Sequence, residues 1–415
     1  MNAASPFARI TGRSVVTVLL VAFWVLCARE YQAHWAAVRG DEAGLRQSVE
    51  ADPHDALHRY WYGRYLLMER HQPQDAIAQF ESGLRSNPRV ADMWFNLALA
   101  QLVLGRTPEV RSSLERGIAA EPYNTVSLLS AANGYLVAGD PDTALHWFRK
   151  VVEADPTQAD SVLDQTWRST RSLDSVLGKA LPDSPEVRTR LFRYLVQNED
   201  WAAAENLWSR LAARQDSPDK SAVQAFLHHL MERDPVAAAP VWTQAQHMVA
   251  GWEHYNEPGN LISNPGFELP VTGVAFDWRL EGASGVTTSM ETLHPHSGSQ
   301  SLRLDANASN LATLGPAQIV LVAPGRTYEL TYFVSTDSLL SASPPMVTVE
   351  EMTGGIRLAA SSEFPQKAPW TQQSLRFSVP EGVSSVVVRL RRAAPETRIK
   401  GTLWLDDFHL AEVQP

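Results

Sequence analysis

The stretch Asp75-Ala-Ile-Ala-Gln-Phe80-Glu-Ser-Gly-Leu-Arg-Ser-Asn-Pro88 returns twice in altered form. It reads Glu109-Val-Arg-Ser-Ser-Leu114-Glu-Arg-Gly-Ile-Ala-Ala-Glu-Pro122 and then Thr143-Ala-Leu-His-Trp-Phe148-Arg-Lys-Val-Val-Glu-Ala-Asp-Pro156. With Pro53, the closing prolines are spaced by 35, 34 and 34 residues. A small or branched residue precedes a large one by four in each copy: Ala76 and Phe80, Val110 and Leu114, Ala144 and Phe148. Four residues is about one helical turn, so each pair lies on one helix face. The small member admits a neighbouring helix closely, the large one fills the next gap, and proline ends the helix. Repeats of this length signal a solenoid of helix pairs.

The pairs recur at Ala204 with Trp208 and Ala238 with Trp242, again 34 apart. Trp94 and Leu97 open one repeat, and Tyr135 follows Leu128 by seven. These positions resemble the tetratricopeptide repeat. The resemblance covers 41–257, with well-formed repeats over 57–156. From Ala144 to Ala204 is 60 residues, eight short of two repeats, so the unit near 157–184 is expected to be compressed. Weaker repeats are expected at 185–218 and 219–250. Segment 41–53 reads as the second helix of an incomplete first repeat, whose partner is an extension of the N-terminal helix past Tyr31. The resemblance implies packing roles for Trp94, Trp208 and Trp242. Tyr60, Trp61, Tyr62 and Trp147 are the candidates for a partner-binding face, because adjacent residues cannot all share the packed side. Such arrays bind protein segments along one surface.

Past Pro258-Gly259 the pattern alternates with period two: Ser301–Asp305, Thr327–Val334 and Val386–Arg392 are examples, separated by Gly, Pro, Ser and Asn. About ten strands in this region read as an antiparallel β-sandwich. The landmarks are Asn264-Pro-Gly-Phe-Glu268, Trp278, His296-Ser-Gly-Ser-Gln-Ser-Leu302, Pro324-Gly-Arg-Thr-Tyr328, Trp370, and Leu403-Trp-Leu-Asp-Asp-Phe-His-Leu410. Their order resembles carbohydrate-binding modules of families 4, 9 and 22, which are galactose-binding-like jelly rolls. The resemblance implies a structural calcium held by Glu268 and Asp406, with carbonyls of 296–301. Strand alternation places Asp406 inward with Phe408 and Leu410, where a buried carboxylate needs a partner. Backbone amides are the alternative partner. Trp278 and Trp370 fall on the family's core positions. Arg389 and Arg391 alternate with Val388 and Leu390, giving a cationic outer face suited to an acidic glycan or merely solvated. Tyr332 and Trp404 are further candidate sugar contacts, alongside Tyr328 and Phe333.

The fold class expected is therefore multidomain, α then β: a membrane helix, an α-solenoid, then a jelly roll over 258–415. At the start, Ser14–Ala28 carries no charge and lies between Arg13 and Arg29. It reads as a signal anchor over 13–36 after a basic cytoplasmic tail over 1–12, with a cleaved signal peptide as the rival. Fifteen helical residues span roughly 22 Å, less than a hydrocarbon core of ~30 Å. On this reading the protein sits in a bacterial inner membrane, single-pass, with its bulk periplasmic or extracellular.

The 415 residues carry a net charge of −10, which argues against a nucleic-acid partner. The single cysteine, Cys27, excludes an intrachain disulfide. No phosphate loop, nucleophile elbow or zinc-protease helix is present. His228-His229 are poorly placed to chelate, His294-Pro-His296 could in principle but falls in an expected loop, and Glu350 and Glu351 lie on opposite strand faces, unlike a glycosidase pair. The expectation is a non-enzymatic scaffold: the repeats recruit a protein and the sandwich contacts a glycan, in surface-polysaccharide assembly or export. A protein-only scaffold whose sandwich binds no sugar is the alternative.

Overall fold

The computed structural model describes residues 6–252, 257–281, 284–309, 311 and 313–414. The chain divides into two compact units, Met1–Val187 and Arg188–Pro415. The first residues of the basic tail, and part of the break expected around Tyr255, lie outside the described residues.

The first unit opens with α1 (Pro6–Val38) and α2 (Glu42–Ala51). Three helix pairs follow: α3 (Ala56–Met68) with α4 (Pro73–Ser86), α5 (Ala91–Val103) with α6 (Thr107–Ala120), and α7 (Thr125–Val137) with α8 (Pro141–Ala154). Caps set their starts. Asp55, Asn124 and Asp140 accept helix N-terminal amides, and Pro73, Pro108 and Pro141 occupy first-turn positions where a missing N–H costs nothing. Pro53, Pro88, Pro122 and Pro156 follow the ends of α2, α4, α6 and α8. All three small–large pairs are buried. Gly63 permits a close contact, since a Cβ there would lie 2.5 Å from the Phe80 ring.

Beyond Pro156 the regular pair fails. A 3₁₀ turn (Pro156–Gln158) leads into α9 (Ala159–Thr170), which Arg171 ends in the left-handed conformation. Then comes only the four-residue α10 (Leu173–Val176) and a bridge between Leu177 and Leu181.

The 33 residues of α1 serve two purposes. Its C-terminal part packs on α2: Ala33 and Ala36 are buried, and the Arg29 guanidinium donates to the Ala51 carbonyl at the end of α2, its Nη2 at 2.7 Å. It is the partner helix expected for segment 41–53. The stretch from Val18 to Leu26 is exposed throughout. Among the described residues no helix is long and apolar enough to cross a membrane. The length of α1 suffices, but its apolar run is closed by Arg29 and Glu30 after too few residues. The expected spanning anchor is therefore unsupported.

Helix α11 (Pro185–Gln197) carries the boundary, and the second unit goes on with α12 (Trp201–Arg214), α13 (Lys220–Arg233) and α14 (Pro235–Met248). Phe192, Trp208 and Phe226 meet with centroids 5.4–5.8 Å apart. Arg188 forms a two-bond fork on Asp216 at 2.6 and 2.9 Å, both side chains buried.

The sandwich has ten strands: β1 (Arg279–Glu281), β2 (Val286–Glu291), β3 (Ser301–Ala308), β4 (Thr313–Leu321), β5 (Thr327–Ser341), β6 (Met346–Glu351), β7 (Arg357–Ala360), β8 (Ala368–Ser378), β9 (Ser385–Arg391) and β10 (Ile399–Glu412). They form two antiparallel five-stranded sheets, ordered β1-β4-β9-β6-β7 and β2-β3-β10-β5-β8. Trp278, Phe267, Tyr332 and Phe408 centre the core between them.

Candidate functional site

The repeats place the first candidate surface. Helix α5 begins 35 residues after α3, and α7 begins 34 after α5. That register makes Met68, Val103 and Val137 equivalent, and likewise Trp61, Asn96 and Ser130, or Arg64, Leu99 and Asn133. Helix α5 touches both α3 and α7, so these sets form rows across one face. Met68, Val103 and Val137 are 42%, 62% and 66% exposed. Asn96, Leu99, Leu102, Asn133 and Val137 line one cavity of about 310 Å³. A larger one of about 680 Å³ lies at the start of the array against Trp61, Leu57, Met68, His58 and Val38.

Of the four residues expected on this face, Trp61 alone lies on it openly. The Arg64 guanidinium sits 5.4 Å from its ring centroid. Tyr60 is buried in the repeat core and Tyr62 is half-buried against it. Trp147 lies on α8, a second helix of its pair, with His146 against its ring. The face that sequence reasoning missed is the Met68–Val103–Val137 row. Its signal was available: aliphatic residues at the same place in successive repeats where the helix faces outward.

The second candidate is the acidic corner of the sandwich. Glu268 accepts the Ser299 amide at 2.9 Å, the Gln300 amide at 3.3 Å and the Ser299 hydroxyl. Asp406 accepts the His296, Ser297 and Asp407 amides at 2.9, 3.4 and 2.8 Å. Asp407 takes the His296 imidazole and the Ser297 hydroxyl. Three carboxylates thus pin the 296–300 loop. Ser297, His296 and Asp407 are not a catalytic relay, because hydroxyl and imidazole both turn to the carboxylate rather than to each other.

Asp406 does not point inward as alternation implied. It registers with Phe333 on the outer side of β5, and a bulge between Asp406 and His409 restores the inward setting of Phe408. Asp407 adopts a positive φ of 51° within that bulge. The loop above, with His296 stacked 3.6 Å from Phe333, is what buries Asp406. Burial pushes its carboxyl up to about 6, and the charge of Asp407 adds to this against the pull of the amides.

For calcium, the donor set matters more than the count of acids. Glu268 and Asp406 both accept N–H bonds, which leave further carboxylate lone pairs for another partner. Among the described residues no three His, Cys, Asp or Glu side chains converge to hold a metal. As oriented, Glu268 and Asp406 are each held by backbone amides of the 296–300 loop, the alternative partner expected for Asp406.

The expected sugar contacts separate. Tyr332 is fully buried and stacks on Phe408, which withdraws it from any outer face. Trp404 lies outward on β10 beneath Arg303, its centroid 5.7 Å from the guanidinium. Trp370, expected in the core, instead joins Trp404 on the outer face, with His294 stacked on it at 5.3 Å and against Trp404 at 4.8 Å. This cluster covers its own ring faces. Arg391 pairs with buried Glu350 at 2.8 Å. Arg389, two residues earlier on the same face, has no carboxylate partner among the described residues.

A family model for the tetratricopeptide repeat matches residues 65–125. The peroxisomal targeting signal receptor of Eremothecium gossypii is 25% identical over 199 residues, 42% of this chain and 35% of that protein. The chain thus spans about a third of that curated relative. The CBM22-1 xylan-binding domain of Paenibacillus barcinonensis Xyn10C matches the C-terminal sandwich at 22% identity, covering 36% of this chain and 93% of the domain, with a TM-score of 0.27. The repeats have a neighbour in MamA, at 17% identity over 36% of this chain and 90% of that one, with a TM-score of 0.30.

Proposed function

We propose that this protein is a non-catalytic scaffold whose repeats hold a segment of a partner protein and whose sandwich contacts a glycan. The observation that carries the first half is the exposed row Met68, Val103 and Val137 on three neighbouring helices. Packed helices lie 8–10 Å apart, about one turn of a polyproline II chain, which rises ~3.1 Å per residue with three residues per turn. A chain laid across the row would set apolar side chains three residues apart. Asn96 and Asn133, half-buried beside it, offer amide groups to the ligand backbone.

The test is selection of a displayed random-peptide library on the full chain. Recovered peptides should carry apolar residues at i, i+3 and i+6 and should not be retained by the triple variant M68E/V103E/V137E. Recovery of nothing, or equal retention by the variant, would reject the reading. The proposal extends to a setting in bacterial surface-polysaccharide assembly and to attachment at a membrane through α1. What supports attachment is the unbroken exposure of Val18–Leu26, a run that water solvates poorly.

A further inference from the structure

Four exposed apolar side chains of the first unit converge on one cavity. Val38 ends α1, and Leu57, Trp61 and Met68 stand on α3; all four line the space of about 680 Å³ at the start of the array. Exposed apolar residues scattered singly are ordinary, but gathered around a concave space of this size they mark a binding site. Helix α1 also contributes His34 and Ala37 to the wall, so the site needs the N-terminal helix as well as the repeats.

Met68 belongs both to this cavity and to the exposed row, so a chain lying along the row meets the cavity at its first position. At the other end of the row, Val137 borders the smaller cavity of about 310 Å³. The two ends therefore ask for side chains of different size. Charge separates them as well. Arg64 lies one turn before Met68 on α3 and borders the large cavity. Its guanidinium rests 5.8 and 5.4 Å from the Tyr60 and Trp61 ring centroids, and no carboxylate pairs with it among the described residues. His58, beside it, is taken by Asp55 at 3.9 Å. Leu99 and Asn133 hold the place of Arg64 in the next two repeats, so the open cation marks the end with the large cavity. Glu69 also borders that cavity, which matches a single acid in the ligand and disfavours a run of them.

We infer that this cavity holds an aromatic side chain of the partner segment and that Arg64 pairs with an acidic residue next to it. The segment then reads aromatic opposite Met68 and aliphatic opposite Val103 and Val137, with Asp or Glu adjoining the aromatic position. The ring gains an apolar wall and the Trp61 ring as a stacking or edge partner. The carboxylate gains the two-bond geometry of arginine. A buried aromatic anchor with a charged neighbour is how a short segment concentrates its binding energy. The inference rests on the peptide half of the proposed function and names the chemistry of its ligand.

The experiment is selection of a displayed random-peptide library on the full chain, in parallel for wild type, Arg64→Glu and Val38→Trp. Wild type should recover apolar triads with an aromatic residue fixed at one end and Asp or Glu beside it. Arg64→Glu should retain those peptides about tenfold less or worse. Its own selection should return Lys or Arg at the acidic place, a swap that a merely structural role for Arg64 would not produce. Val38→Trp, which fills the cavity, should keep aliphatic triads and lose the preference for a ring. The wild-type pattern tests the inference even if a variant does not fold. Triads with no fixed aromatic end, or acids returned unchanged by Arg64→Glu, would overturn the inference and leave the peptide reading standing. Recovery of no peptide would overturn both.

Discussion

Asp406 shows how one side chain can be legible in kind and illegible in place. A carboxylate in that closing motif needs a partner, and the structure supplies three backbone amides. Its carboxyl, raised to about 6 by burial, binds a proton more readily folded than unfolded. The stability it contributes is therefore full below about pH 4 and is lost as pH rises through 6. In urea melts between pH 4 and 7, wild type should lose stability relative to Asp406→Asn as pH rises. Parallel curves would show that Asp406 does not titrate in this range. If amide bonds alone hold Glu268 and Asp406, added calcium should leave the melting temperature of the full chain unchanged, as should chelator. A rise with calcium would restore the metal that the resemblance implied.

At the scale of elements, the helix pairs depend on close approach. A methyl at Gly63 would stand 2.5 Å from the Phe80 ring, and Phe80 is fully buried. Gly63→Ala should destabilise the chain by about 1–3 kcal/mol, as overpacking does, read by urea denaturation. A neutral result would mean that α3 and α4 separate more easily than their packing implies. Between α11 and the segment after α12, the buried fork of Arg188 on Asp216 is the counterpart. Asp216→Asn should cost about 3–5 kcal/mol by removing the charge that faces a buried guanidinium, read by urea denaturation. The repeat helices were legible because proline, the small–large pair and a fixed period all state the same packing rule. The β10 bulge was not, because a single inserted residue shifts every later side chain and leaves no mark on composition.

For the whole molecule, α1 links two behaviours in one helix. Its part from Arg29 onward belongs to the repeats, and its Val18–Leu26 part has no protein cover. Removal of residues 1–28 should leave the melting transition of the remaining chain in place while moving the protein from the membrane fraction to the soluble one. Loss of the transition would show that the exposed run is structural. The local order of residues determined the repeats, the strand-rich C-terminal region and the landmarks of its core, because helix periodicity, strand alternation and proline breaks act over a few neighbours. Tertiary structure decided what faces outward. Tyr60 and Tyr332 are as aromatic as Trp61 and Trp404, yet packing from distant segments buried the first two and left the others at the surface. It also decided that, among the described residues, Arg391 has a counterion and Arg389 has none. A pairing across neighbouring strands is set by register between residues some forty positions apart, and no local pattern encodes it.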